Sequence, residues 1–480
     1  MSENKRMLRT RTRATTPSGS DPASCERLTP TLVDAHRAPE LSAVLDALLV
    51  ARFEPLAAEA FEVFLERRCD AERAGYSVLA SGACDMTARV APHRPPVRRA
   101  RRTGGYWPSA GQEVLLRAAL LSGTAAIEAW RALRPQLDVV GETPASRRLL
   151  PLVGANLRRL GIDDPLAAGV EAICRDTAAK NRRLFDAGRH LLAVLAEAGI
   201  ATLILKGGAL VPQRYRDLGM RPMSDLDVVV PTSQAEAAIH ALEGAGWSAR
   251  SAVTPAFIRM QHAIDLLETG TSLKCDLHWH VYSECCGPDA DGDLWAASVP
   301  LDFEGVATRT LAPADQLLHL CVHGSRRARR PQLLWIPDAL LVLQAGGIDW
   351  PRLLAQARGR RFVLRAATML AYLSGDFAAP VPDEVLTRLE TLPVSRLERF
   401  EHWVVNRPQG LLGELPGYWC NYRRLRADGQ VTSALGFPRY LQQTWRMKSL
   451  GEVGRGALDR ARKRVRAAIL GRATPGQPAR

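Results

Sequence analysis

The chain has 480 residues, of which 46% are hydrophobic and 24% are charged, a composition typical of globular proteins and unlike that of fibrous or wholly disordered chains. No apolar stretch approaches the roughly 20 residues that cross a bilayer, and no apolar segment follows the N-terminal arginines as it would in a secretory signal. The nine cysteines are scattered, which favours reduced thiols over a disulfide framework, so we expect a cytoplasmic protein.

The net charge of +14 has two explanations. A surplus of positive charge suits an anionic partner, such as a nucleotide, a nucleic acid or a membrane surface. Most of this charge is arginine, however, and alanine is also abundant, which favours the composition of a GC-rich genome. The charge alone therefore identifies no substrate.

Hydrophobic periodicity and charge runs divide the chain into five predicted regions, and the predicted fold class is α+β, with a small mixed β-sheet between helical regions. The regions are a poorly ordered basic extension with one or two helices (1–104), a helical region (105–200), the core that contains the sheet (201–300), a second helical region (301–454), and a basic amphipathic helix with a tail (455–480).

The stretch from Leu203 to Pro231 carries the main functional signal, because a short apolar strand is followed by an irregular polar segment and then a second strand. Asp225 and Asp227 lie two residues apart in the second strand, so both point to one face while Leu226 points into a core. Neighbouring carboxylates repel each other unless a cation lies between them, and Mg²⁺ prefers such oxygen ligands. The pair is a candidate magnesium site, although Asp-x-Asp alone is a common pattern.

A Gly-Gly pair, Gly207 and Gly208, follows the first strand directly after Lys206. Glycines at this point would let the backbone approach a phosphate and direct amides toward it. A plain turn is the commoner reason for such a pair. The pattern becomes specific only in combination with the two aspartates that follow.

Three motifs together resemble a known family: Lys-Gly-Gly at 206–208, Arg-x-x-Ser-Asp-x-Asp at 221–227 and Asp-Leu-His-Trp at 276–279. They are similar to the nucleotidyltransferase superfamily that includes DNA polymerase β, and more closely to a bacterial branch described as an uncharacterised nucleotidyltransferase family. The likeness runs from about residue 105 to about residue 440. The superfamily's usual Gly-Ser is Gly-Gly here, so a serine hydroxyl that would contact phosphate is absent.

The resemblance implies a palm-like core that transfers a nucleoside monophosphate from an NTP, with ATP as the expected donor, to an unidentified acceptor hydroxyl or other nucleophile, releasing pyrophosphate. It implies two Mg²⁺ ions held by Asp225, Asp227 and Asp276, with Asp276 serving the second ion. The residues expected to bind the nucleotide are Lys206, Gly207, Gly208, Arg221 and Ser224.

Several of these residues have ordinary structural explanations. Asp276 would also suit a salt bridge to a nearby arginine. His278 and His280 share its face of the strand, where packing or contact with phosphate is favoured over zinc binding. His319 and His323 are four apart on one helix face, a spacing that suits a metal, but buried hydrogen-bonded histidines are the commoner outcome.

Two other functions stay open at the level of sequence. One is a non-catalytic nucleotide-binding or partner protein on the same scaffold, which the absent serine favours. The other is a different phosphotransferase, although the chain lacks a Walker A motif and a kinase catalytic loop. Residues 455–470 form a basic amphipathic pattern that suits weak contact with an anionic membrane or nucleic acid, or docking on the protein itself.

Overall fold

The computed structural model describes residues 106–137, 143–249, 253–326, 332–406, 414–430 and 436–472, with side chains as far as residue 463. The predicted basic extension at 1–104 therefore lies outside the described residues.

Five α-helices precede the sheet in the described chain. The first begins at a capping box, in which Ser109 Oγ accepts a hydrogen bond from the Gln112 amide and the Gln112 side chain accepts one from the Ser109 amide. The fifth is 31 residues long and ends just before Gly199, whose φ of +69° suits a helix stop. In chain order they are α1 (Ala110–Leu120), α2 (Gly123–Leu133), α3 (Pro144–Arg147), α4 (Leu150–Arg159) and α5 (Ala167–Glu197).

Seven strands form one mixed sheet in the order β3-β4-β5-β2-β1-β7-β6. The pairs β1–β7 and β2–β5 are parallel, and the other four neighbouring pairs are antiparallel. The predicted fold class, helices combined with a mixed sheet, is therefore confirmed. The strands are β1 (Leu203–Ile204), β2 (Leu226–Val229), β3 (Trp247–Ala249), β4 (Ala263–Glu268), β5 (Lys274–His278), β6 (Val299–Phe303) and β7 (Val306–Thr310).

The two faces of the central strands differ in chemistry because side chains alternate along a strand. Leu226, Val228 and Leu277 are buried in one hydrophobic cluster with Leu191 of α5. Asp227, Asp276 and His278 alternate with them and therefore lie on the opposite face. The core thus fixes which face carries the polar groups, since a slip of one residue would bury the carboxylates under α5.

Helices occupy two places where the sequence suggests none. The segment after β1, predicted to be irregular, forms the short helix α6 (Lys206–Leu210) and a π-helical turn (Val211–Tyr215). The apolar pattern of Phe257–Glu268 predicts one strand, but β4 begins only at Ala263, because α8 (Pro255–Met260) precedes it. Thr254 accepts a hydrogen bond from the Phe257 amide and a proline occupies the first turn, so the capping signal overrides the apolar pattern.

The hairpin of β6 and β7 is a further correction, since the sequence predicts only helices beyond Pro300. Glu304 and Gly305 have φ angles of +51° and +84°, the left-handed pair of a two-residue hairpin turn. Because β7 pairs with β1, the sheet extends past the predicted limit of the core at residue 300.

The remaining helices connect the strands or follow the sheet. No helix in the described ranges combines the length and apolar character needed to cross a membrane. Between strands lie α7 (Ala235–Gly244), α8 and α9 (Gly292–Ala297); after them come α10 (Pro313–Gly324), α11 (Trp335–Ala345), α12 (Trp350–Gly359), α13 (Val363–Phe377), α14 (Asp383–Thr391), α15 (Arg396–Asn406), α16 (Leu415–Ala427), α17 (Gly436–Thr444) and α18 (Leu450–Arg472).

Candidate functional site

Two aspartates from different parts of the chain meet at the centre of the sheet. In the parallel pairing of β2 with β5, Asp227 is the direct partner of Asp276. His278 lies two residues after Asp276 and shares its face. One ligand atom from each of the three residues lies within 4.8 Å of the other two. We call Asp227, Asp276 and His278 the acidic cluster.

The two carboxylates of the acidic cluster are contacted by two cationic side chains, His278 within the cluster and Lys206 outside it. His278 Nε2 lies 2.9 Å from Asp276 Oδ2 and 3.2 Å from Asp227 Oδ1, so one ring nitrogen lies between both carboxylates. Lys206 Nζ donates to the same Asp227 oxygen at 2.5 Å. The Asp227 side chain is only 7% exposed and that of Lys206 only 15%, so water screens this ion pair weakly.

These contacts set the ionisation of the site. Burial alone would raise the pKa of Asp227, but Lys206 and His278 outweigh burial and hold that pKa well below its ordinary range. Burial would likewise lower the pKa of His278, but Asp276 and Asp227 raise it to about 9. The pKa of Asp276 is also lowered, against burial, by His278. At neutral pH the cluster therefore contains two carboxylates and an imidazolium.

Asp225 lies beside the acidic cluster but is not part of it. In the described chain, the ligand atoms that lie within 4.8 Å of one another come from Asp227, Asp276 and His278. It precedes β2 and is half-buried, and its Oδ1 accepts a hydrogen bond from Ser224 Oγ at 3.1 Å. Burial and then the charge of Asp227 raise the pKa of Asp225, and the positive charge of Lys206 offsets them only in part. Its predicted role as a metal ligand stays a prediction.

Arg221, predicted to bind nucleotide, is held in a buried ion pair. Its Nε and Nη2 donate to Asp338 Oδ1 and Oδ2 of α11 at 2.8 and 2.6 Å, and Tyr215 Oη donates to Asp338 Oδ1 at 2.7 Å. Arg221 is 7% exposed and Asp338 1% exposed. This bidentate pair fixes the segment that leads into β2, and the predicted role of Arg221 in nucleotide binding stays a prediction.

Gly207 and Gly208 have packing reasons to be glycine. A Cβ at Gly207 would collide with the guanidinium of Arg221. A Cβ at Gly208 would lie 2.6 Å from both Ile204 Cγ2 and Leu226 Cδ1, closer than side chains approach. Both residues are buried within α6 rather than in the predicted open loop. Position 208 therefore faces the hydrophobic core, where a serine hydroxyl would have no polar partner.

The backbone at Lys206 is unusual because its φ is +47°, a left-handed conformation that non-glycine residues adopt at a cost of roughly 1–2 kcal/mol. This conformation occurs at the point where β1 ends and the side chain reaches Asp227. Strained residues concentrate at functional sites. The strained backbone therefore favours a functional role for Lys206. This evidence is independent of the Lys-Gly-Gly motif, because the sequence does not reveal the backbone conformation.

Three histidines near the acidic cluster are packed, neutral groups: His262, His319 and His323. The ring of His262 lies 5.4 Å from that of His278, and that of His319 lies 6.0 Å from that of His323. Burial, followed by neighbouring positive charges, places the pKa of His262, His319 and His323 well below the ordinary value. His280 Nδ1 is hydrogen bonded to Asp291 at 2.8 Å, which favours packing over zinc binding for that residue.

Sequence reasoning did not assign functions to three residues near the site. Asp338 is an acidic residue in an otherwise apolar helix, a pattern in the sequence that indicates a buried ion pair. Asp265 on β4 is the direct partner of Asp276, so the sheet bears a row of three aspartates across β2, β5 and β4, but Asp265 is exposed. Arg148 reaches the segment before β2 from the helical region. Asp265 and Arg148 belong to no sequence motif that would have indicated a function.

Comparison with known proteins places the site inside a matched region. Residues 142–375, just under half of the chain, match the sequence model of a family described as uncharacterised nucleotidyltransferase. Six chains of solved structures are also similar. One is the crystal structure of an antigenic nucleotidyltransferase-like protein from Paracoccidioides brasiliensis, with 17% identity, a TM-score of 0.30, and coverage of 44% of this chain and 94% of that one. No curated protein matches the chain.

Proposed function

We propose that the protein transfers a nucleoside monophosphate from an NTP, with ATP as the first candidate, to an acceptor nucleophile and releases pyrophosphate. The observation that carries the proposal is the parallel register of β2 and β5, which sets Asp227 beside Asp276 on one face within the region that matches the nucleotidyltransferase family. A palm-like core between helical regions would then hold the reaction.

The side chains of the acidic cluster fit divalent metal ions. Carboxylate oxygens of Asp227 and Asp276 are hard ligands suited to Mg²⁺, and Asp225 would add a third carboxylate at the edge. Bound Mg²⁺, two ions by the proposal, would neutralise phosphate charge and favour ionisation of the acceptor. In the structure, Lys206 donates to Asp227, and the His278 imidazolium lies between Asp227 and Asp276.

The residues of the chain would divide the remaining work. Lys206, in its strained conformation, would place one positive charge between Asp227 and the phosphates. Ser224 and the amides of Gly207 and Gly208 would contribute hydrogen bonds to the nucleotide. The pair of Arg221 with Asp338 would hold the segment that carries Ser224 and Asp225, so we propose a positioning role for Arg221. Such fixed positioning is the main requirement of phosphoryl-type chemistry.

One observation favours a second candidate, a non-catalytic nucleotide-binding protein. Asp227 is already neutralised by Lys206 and His278, and position 208 faces the core instead of offering a hydroxyl. A site of this kind would bind nucleotide without turning it over.

Nucleotide titration followed by pyrophosphate release separates these proposals. Calorimetry with each of the four NTPs in Mg²⁺ measures binding, and incubation with cell extract and labelled ATP supplies acceptors. We expect binding and pyrophosphate release from the wild type. Asp276→Asn should slow release at least about 10-fold, by analogy with losses at metal sites. Binding without release across many acceptors would support the non-catalytic candidate.

Asp265→Asn is the matched control, because it removes the same charge from the directly paired but exposed position on β4. It should leave release near the wild-type rate. Equal losses in Asp265→Asn and Asp276→Asn would mean that general negative charge, and not a metal site, carries the activity. Failure of the wild type to bind any NTP would overturn the proposed function.

A further inference from the structure

Arg148 brings a guanidinium from the helical region to the edge of the site. It lies at the joint between α3 and α4, directly before Leu149 and Leu150, both of which are fully buried. Its Nη2 donates to the Pro222 carbonyl at 2.9 Å. Pro222 is three residues before Asp225, so this hydrogen bond fixes the guanidinium against the segment that enters β2.

Arg148 and Asp225 are half-buried opposite charges that influence each other without forming an ion pair. Among the described residues, no carboxylate oxygen lies within 4.0 Å of the Arg148 guanidinium. Burial and then Arg221 lower the pKa of Arg148, while Asp225 and Asp338 act in the opposite direction. Asp338 is already engaged by both Nε and Nη2 of Arg221.

The contrast with Arg221 indicates what Arg148 is for. The buried Arg221 pairs directly with Asp338, because an unpaired buried charge is unfavourable, whereas the half-buried Arg148 has a backbone carbonyl as its hydrogen-bond partner. The charges of Arg148 and Asp225 are instead only partly compensated by each other, because the two side chains form no ion pair. A metal–triphosphate complex brings both missing partners, since its cation suits the carboxylate and its phosphate oxygens suit the guanidinium.

We infer that Arg148 binds the triphosphate of the nucleotide, an inference that rests on the proposed nucleotide site. Nη2 donates one hydrogen to Pro222, while its second hydrogen and those of Nε and Nη1 have no acceptor among the described residues. Guanidinium N–H groups of this kind bind phosphate oxygens, in pairs where Nη2 and a neighbouring nitrogen act together. The helical region thereby contributes a phosphate-binding residue to a site whose carboxylates come from the sheet. Arg148 takes the role that the sequence motif suggests for Arg221.

Calorimetry of the full-length chain with ATP and with AMP, both in Mg²⁺, tests the inference. Arg148→Ala should weaken ATP binding about 10- to 100-fold, the range for one or two charge-assisted hydrogen bonds. AMP binding, measured by competition, should change less than about 3-fold, because AMP lacks the phosphates in question. Arg148→Lys keeps the charge and should recover part of the ATP affinity.

Arg147→Ala is the matched control, since Arg147 is the adjacent residue and is exposed. It should bind ATP like the wild type. Melting temperatures without nucleotide show whether each variant is folded. If Arg148→Ala equals Arg147→Ala, or loses ATP and AMP affinity by the same factor, the inference is wrong while the nucleotide site survives. If the wild type binds no nucleotide, the proposed function and the inference both fail.

Discussion

Two groups of buried charges in this protein are built differently. Glu401 and Arg424 form a closed pair, in which Arg424 Nε and Nη2 donate to the two carboxylate oxygens at 2.6 and 2.5 Å. The remaining Arg424 donors reach the carbonyls of Arg360 and Arg361. Charge and hydrogen bonds are balanced within the pair, and nothing further is needed to stabilise it.

The acidic cluster and its surroundings are unbalanced by comparison. Among the described residues, Asp227 and Asp276 form ion pairs only with Lys206 and the His278 imidazolium, and Asp225 forms none within 4.0 Å. The Lys206 and His278 contacts to Asp227 converge on one oxygen. Burial penalises the surplus charge, so a fold would not retain it for stability alone. A balanced buried pair supports the architecture, whereas a surplus of one sign indicates a place for a ligand.

The largest expected effect is on the balanced pair. Glu401→Gln keeps the shape but turns a carboxylate oxygen into an NH₂ group that faces Arg424, leaving a buried cation without its counter-ion. We expect the free energy of unfolding to fall by about 3–5 kcal/mol. Urea denaturation measures the loss, and the Kd for Mg²⁺–ATP below the unfolding transition should be unchanged.

Glu390→Gln, at an exposed position of α14, is the control for this change and should shift stability by less than about 0.5 kcal/mol. A loss of nucleotide affinity in Glu401→Gln, with stability intact, would mean that the Glu401–Arg424 pair belongs to a binding site and does not serve the architecture alone.

The next effect concerns the cluster itself. Asp227→Asn removes the carboxylate that both Lys206 and His278 contact. We expect kcat/KM to fall at least about 100-fold, equivalent to about 2.7 kcal/mol, because outer partners of metal sites alone are worth 10- to 100-fold. Since Lys206 and His278 hold the pKa of Asp227 low, its charge stabilises the folded state, and the melting temperature without metal should also fall. Wild-type activity in Asp227→Asn would end the proposal of metal-dependent transfer.

The sequence predicts the parts of this site that follow a local rule. The alternation of Asp225, Leu226 and Asp227 predicts which side chains lie on the polar face of the strand. The later Asp-Leu-His motif identifies Asp276 through its resemblance to the family. The parallel pairing that sets Asp227 beside Asp276 depends on contacts between distant segments, so it could not be read from either motif alone. The same reason hides Arg148, which reaches the site across 74 residues of chain.

A smaller effect is expected where the sequence departs from the superfamily's Gly-Ser. Gly208→Ser would place a Cβ 2.6 Å from Ile204 Cγ2 and Leu226 Cδ1, so we expect a loss of about 1–3 kcal/mol in stability from overpacking. Pyrophosphate release should not increase, because the hydroxyl would face the core. Gly244→Ser, where a Cβ meets nothing within 4 Å, is the control. Faster release by Gly208→Ser would mean that the side chain at position 208 reaches the phosphates and does not face the core.

The smallest effect has the opposite sign and tests the surplus of charge directly. Burial and Asp227 raise the pKa of Asp225, so the folded protein favours the protonated form of this carboxyl more than the unfolded chain does. Its charge at pH 7 therefore destabilises the metal-free fold, and Asp225→Asn should raise stability by up to about 1 kcal/mol. Saturating Mg²⁺–ATP should raise the melting temperature of the wild type more than that of Asp225→Asn, because only the wild type offers this carboxylate to the metal. A lower melting temperature for metal-free Asp225→Asn would show that Asp225 is a paired structural residue, and the surplus of charge at the site would then be smaller than proposed.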